Sequence, residues 1–189
     1  MIDEATFQVL NSVYLRKLAP VSHIVSVTGI PEQKASEVVA NEMADEALDE
    51  LAGSYILQPK GTGKVLKFYH ETYAPLRDAG EVIEWYDRFE VINVKFIKAV
   101  SDWQSGGGKD SRAQDQMTRI VEKMMRNLEE VIPDIPRDKA YSDRFARSMA
   151  LADRGETDYV CNPTVDSMHN IWFEFHEDIL AVIGRPRDV

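Results

Sequence analysis

The stretch richest in chemistry-bearing side chains runs from Asp166 to Asp178, DSMHNIWFEFHED. On a helix, Asp166 and His169 are three apart and His169 and His176 seven apart, so all three project from one side. That side also carries Met168, Trp172, Phe173 and Ile179, which leaves the imidazoles either buried and hydrogen-bonded or open to a cavity. Three readings follow. The histidines tie helices together through Asp166 and backbone oxygens; or Asn93, Asp166, His169, Trp172 and His176 line an effector pocket; or a further ligand such as Asn93, Asp87 or Glu90 completes a metal site. The spacing is neither the Glu-x-x-His of di-iron bundles nor the His-Glu-x-x-His of zinc peptidases, so no metal is assigned. A histidine cluster of this kind also changes charge between about pH 5 and 8. Elsewhere, GTGK at 61–64 lacks the length and the Ser/Thr of a phosphate-binding loop, and there is no Ser/His/Asp order or nucleophile elbow. The expectation is a protein with no catalytic residues and no cofactor.

The elements that must hold these residues are mostly helices. Val82, Trp85, Tyr86, Phe89, Ile92, Asn93, Phe96, Ile97, Val100 and Trp103 recur every three or four residues, predicting a helix of about seven turns that SGGG at 105–108 ends. A second helix is expected over 111–131, closed by Pro133 and Pro136, and a third over 138–154, ended by Gly155. Asn162-Pro163-Thr164 opens the last, which stops at Gly184. Four helices with short or glycine-bearing loops read as an antiparallel four-helix bundle over 79–187.

The N-terminal third reads differently. Phe7, Leu10, Val13, Tyr14 and Leu18 mark a first amphipathic helix, and VSHIVSVTGIPEQKASEVV has the spacing of a helix-turn-helix, with Ile24 in the first helix and Gly29 at the turn. Ile30, Ala35 and Val38 pack the second helix, which starts at Pro31 or Glu32 and is expected to continue to Gly53. Residues 55–57 and 65–69 are β-prone, with Gly61-Thr62-Gly63 as the turn between them. Three helices and a two-stranded hairpin over 1–70 give the layout of a winged helix.

Charge limits what such a unit does. The chain carries 22 Lys and Arg against 32 Asp and Glu, a net −10, which opposes broad attraction to phosphate backbones. Gln33, Lys34, Ser36 and Asn41 would face the major groove, where Gln33 and Asn41 suit adenine and Lys34 suits guanine, while Lys60, Lys64 and Lys67 on the expected wing would meet phosphates. Glu32 and Glu37 bring the wrong sign to the same face. The single cysteine, Cys161, excludes an internal disulfide, the N-terminus has no basic leader, and no apolar run reaches membrane length, so a soluble cytoplasmic protein without membrane contact is expected.

Residues 1–70, with ALDELAGSYIL leading into the expected wing, resemble the winged helix-turn-helix domains of bacterial transcription regulators of the MarR type. RFEVINVKFIKAVSDWQ and NPTVDSMHNIWFEFHEDILAVIGRPR resemble a helical segment of actinobacterial winged-helix proteins, some of them linked to phosphoenolpyruvate-utilising dikinases. The resemblance implies an architecture and brings no catalytic residues. Together these features favour a DNA-binding transcription regulator whose bundle forms a homodimer through the apolar faces of 82–103 and 165–180 and holds a small-molecule effector. The alternative is a module that binds no DNA and docks on a metabolic enzyme as its protein partner.

Overall fold

The computed structural model describes residues 2–131 and 137–186. The described residues are mainly helical, with one small two-stranded antiparallel sheet. They divide into two compact units, one of residues 1–75 with 177–189, the other of residues 76–176.

The first unit begins with α1, Glu4–Arg16, whose N-cap Asp3 accepts from the Thr6 N–H at 2.7 Å. Those bonds to Thr6 hold the Asp3 carboxyl below its ordinary value. α2, Val21–Thr28, stops at Gly29, whose φ of 70° turns the chain into α3, Glu32–Ala44. Ile24 on α2 and Ala35, Val38 and Val39 on α3 are buried, as their spacing expects.

The hairpin lies one segment earlier than the sequence reading places it. α3 does not continue to Gly53. It ends at Ala44, and β1, Leu48–Leu51, pairs with β2, Ser54–Leu57. The loop is Ala52-Gly53 with φ of 52° and 79°, positive at both positions as the tight hairpin turn with strand-matched twist requires. The expected strand at 65–69 and turn at 61–63 are instead part of α4, Pro59–Thr72. Pro59 suits the first turn of α4, and Gly61 is there for closeness: a Cβ at Gly61 would overlap the Ala47 carbonyl and meet the Leu57 side chain. Val65, Phe68 and Tyr69 then face α1, with Phe7 and Phe68 stacked at 3.8 Å between ring centroids.

The second unit contains α6, Glu81–Ser105, α7, Ser111–Val131, α8, Asp138–Asp153, a one-turn α9, Asp158–Cys161, and the first half of α10, Met168–Ile183. A short α5, Ala74–Ala79, leads into it. α6 and α7 pack along each other after the glycine loop. Pro133 and Pro136, expected to close α7, lie outside the described residues. α10 starts at Met168 rather than Thr164 because the preceding turn is held by side chains: Asn170 Nδ2 donates to the Asn162 and Val165 carbonyls at 2.9 and 2.7 Å. The core is aromatic, with Phe96 stacked on Trp172 at 4.0 Å and Phe89 on Trp172 at 5.4 Å.

Candidate functional site

Two regions hold the residues singled out in the sequence, one in each unit. In the first, Gln33, Lys34, Ser36 and Asn41 are all exposed on α3. Lys34 Nζ reaches Glu37 on its own helix at 3.3 Å. The three lysines expected at a wing tip are on α4 instead, and each faces a carboxylate. Lys60 pairs with Asp45 at 2.6 Å, Lys64 bridges Glu42 and Asp45 at 2.6 Å each, and Lys67 approaches Glu71 at 3.9 Å. The bonds from Lys60 and then Lys64 pull the Asp45 carboxyl down to about 2. Desolvation would lower Lys64, but its hydrogen bonds to Asp45 and Glu42 prevail and raise it. The β1–β2 hairpin carries Asp49 and Glu50 on β1 and an exposed Leu51 beside the turn, and no lysine. From α2 through the end of β2, residues 21–58 contain one cation, Lys34, and seven anions, a net −6 at neutral pH. That segment has the sign of a surface that repels phosphates.

In the second unit, Asn93, Trp172 and His176 come together through Glu90, which the sequence offered as a metal ligand, and Tyr86, which it placed on the apolar face of the long helix. Trp172 Nε1 donates to Asn93 Oδ1 at 2.9 Å, and Asn93 Nδ2 donates to Glu90 Oε1 at 3.2 Å. His176 Nε2 lies 3.2 Å from the same Glu90 oxygen and 2.9 Å from the Tyr86 hydroxyl. A neutral imidazole protonated on Nδ1 accepts the Tyr86 proton at Nε2; a protonated one donates from Nε2 toward Glu90. Asp166 belongs to a second group. Arg144 holds it with two parallel bonds, Nε to Oδ2 at 3.0 Å and Nη2 to Oδ1 at 2.7 Å, and also reaches Glu174 Oε2 at 2.5 Å. Arg147 adds a longer contact to Asp166 at 3.3 Å. Burial alone would lower the Arg144 value, yet the Asp166 bonds and the two carboxylate charges raise it, so the guanidinium stays charged. His169 is half-buried on α10.

No family model, no curated protein and no solved structure matches the chain. The chemistry therefore rests on geometry. Among the described residues no group of three or more His, Cys, Asp or Glu side chains is placed to hold a metal ion, and no helix is long and apolar enough to cross a membrane. The thiol of Cys161 is pushed up to about 11 by burial, which leaves it protonated and a poor nucleophile at neutral pH.

Sequence reasoning missed a third cluster, within the first unit. The Tyr69 hydroxyl lies 2.7 Å from Asp178 Oδ1 and 2.8 Å from the Asn11 side chain, and all three residues are buried. One hydroxyl proton serves one acceptor. The carboxylate is the stronger acceptor, and Asn11 Oδ1 stands as the second acceptor beside the same hydroxyl. Lys17 meets Glu177 at 3.0 Å nearby. The visible signal was Asn11 among the apolar residues of α1, matched by Asp178 among those of α10. Burial, with the charges of Glu177 and Asp178, raises the Tyr14 phenol.

Proposed function

We propose that the first unit is a winged-helix scaffold used for protein contacts, with α1, α2 and α3 as its three helices and β1–β2 as its wing. The second unit, built on α6, α7, α8 and the start of α10, is a helical bundle of structural role. The reading rests chiefly on one observation: every lysine that could have met a phosphate from α4 already faces an acidic side chain, and residues 21–58 taken with Lys60 and Lys64, which pair with their Glu42 and Asp45, are still net −4. A partner with a basic surface fits that charge, which steers encounter, and Leu51, 57% exposed at the hairpin turn, supplies an apolar anchor. The bundle's polar groups favour a structural role, because Trp172 bonds Asn93, Asn93 and His176 share Glu90, and Arg144 bonds Asp166 and Glu174.

Titration against mixed-sequence duplex DNA at low salt separates this reading from a DNA-binding regulator. The expected outcome is no retention, with no change on replacing Lys60, Lys64 and Lys67 by alanine. A salt-dependent affinity whose slope flattens in that triple variant would establish the regulator instead. A photo-crosslinking residue at Leu51 tests the positive side. It should yield a discrete protein adduct in cells that Asp49→Lys with Glu50→Lys abolishes.

A further inference from the structure

The outward face of α6 carries a pattern that the second unit does not use. Val82, Trp85, Phe89, Phe96, Val100 and Trp103 are buried in the unit's own core, so the apolar spacing that first suggested a dimer is already occupied. A second stripe runs along the opposite side: Glu84, Asp87, Val91, Val94, Lys98 and Ser101, at alternating intervals of three and four residues. That is the spacing of a coiled-coil seam. All six residues are exposed. Val91 is 61% exposed and Val94 66%, and Ile97 beside them is 52% exposed. Isolated surface valines are ordinary, but three of the six exposed large hydrophobic residues among those described fall within seven residues of one helix.

The charges flanking these valines are unequal. The N-terminal half of the exposed side holds Glu81, Glu84 and Asp87 against Arg88, a net −2, with half-buried Glu90 at its edge. The C-terminal half holds Lys95 and Lys98 against Asp102, a net +1. A parallel partner would set like charge on like, with Asp87 against Asp87 and Lys98 against Lys98. An antiparallel copy reverses this.

We propose that α6 is a homodimer interface in which two copies of this helix pack antiparallel about a two-fold axis midway between Val91 and Val94. In that register Val91 meets the partner's Val94, Asp87 meets the partner's Lys98, and Ile97 lies over the aliphatic part of the partner's Glu90. Lys98, which pairs with Asp102 four residues on at 2.7 Å, gains a second carboxylate. Arg88 and the partner's Lys95 flank the seam with like charge. They are exposed, long and free to point away, so this repulsion is screened while the central pairs are covered. An interface of this kind is isologous and closes on itself as a dimer.

Sedimentation equilibrium of the full chain across a micromolar concentration series tests the proposal. The wild-type chain should associate to a dimer and no further. Val94→Glu should weaken association by roughly tenfold or more while leaving the circular dichroism melt of the chain unchanged, since the residue is exposed in the monomer. Asp87→Lys and Lys98→Asp should each weaken the dimer, and the double exchange should restore it. A wild-type chain that stays monomeric, or a dimer indifferent to Val94→Glu, overturns the interface. A double exchange that does not recover affinity overturns the antiparallel register.

Discussion

Each unit contains one cation set between two carboxylates, and the two arrangements differ chiefly in their access to water. Lys64 bridges Glu42 and Asp45 at the edge of the first unit, with its side chain 22% exposed; Arg144 bridges Asp166 and Glu174 in the second, with its side chain 7% exposed. Near the surface, an ion pair loses to screening and side-chain ordering much of what the charges gain, and its net worth is about 0–1 kcal/mol. In the interior the pair itself need not stabilise, but removing one member strands charges that water cannot reach, at a cost of about 3–5 kcal/mol. The same triad of charges thus keeps lysines occupied in one place and fixes three chain segments in the other.

The largest break in that contrast comes from Arg144. Arg144→Leu removes the guanidinium from buried Glu174 and leaves Asp166 with the longer contact from Arg147, and chemical denaturation should register a loss of about 3 kcal/mol. Replacing Arg144, Asp166 and Glu174 together by apolar residues of similar size should recover most of it, which would show that the penalty is stranded charge and not lost packing. Lys64→Met is the matching change in the first unit: exposed Asp45 keeps Lys60, buried Glu42 loses its Lys64 partner, and a smaller loss of about 1–2 kcal/mol is expected. The smallest effect is one of pH. Asp45 has a carboxyl lowered by Lys60 and Lys64 to about 2, from an ordinary 3.8. Its contribution is therefore present above about pH 4 and lost as the pH falls toward 2, because the unfolded chain binds the proton first. A melting-temperature profile from pH 5 to 2 should lose part of its acid dependence in Asp45→Asn.

What could be read from the sequence followed local periodicity. The turn at Gly29, the start of α3 after Pro31, the end of α6 at the glycine run and the extent of α7 depend on neighbours within a few residues, and those are written in the chain. One strand of the hairpin, 55–57, was legible and lies in β2; its partner strand and turn were not, because two local signals point the wrong way. LDEL is a good helix-forming sequence, and GTG looks like a turn, yet Gly61 is needed for a contact with Ala47, fourteen residues earlier. The lysines moved with it, from an expected wing to α4. Asn93 and Trp172 stood out because a polar group on an apolar face needs a partner. Arg144 gave no such sign, since an arginine on α8 looks like any solvated charge until Asp166 and Glu174 fold onto it.

The acidic residues of β1 have a further consequence. In the described sheet β1 pairs with β2 alone, and on its other edge the Glu50 N–H is already bonded to the Asp49 carboxylate at 2.8 Å, which withholds that donor from any further strand. Asp49 and Glu50 sit on that strand as gatekeepers, placing negative charge where a second such strand would have to align, and so guard this two-stranded sheet against growing into a larger one.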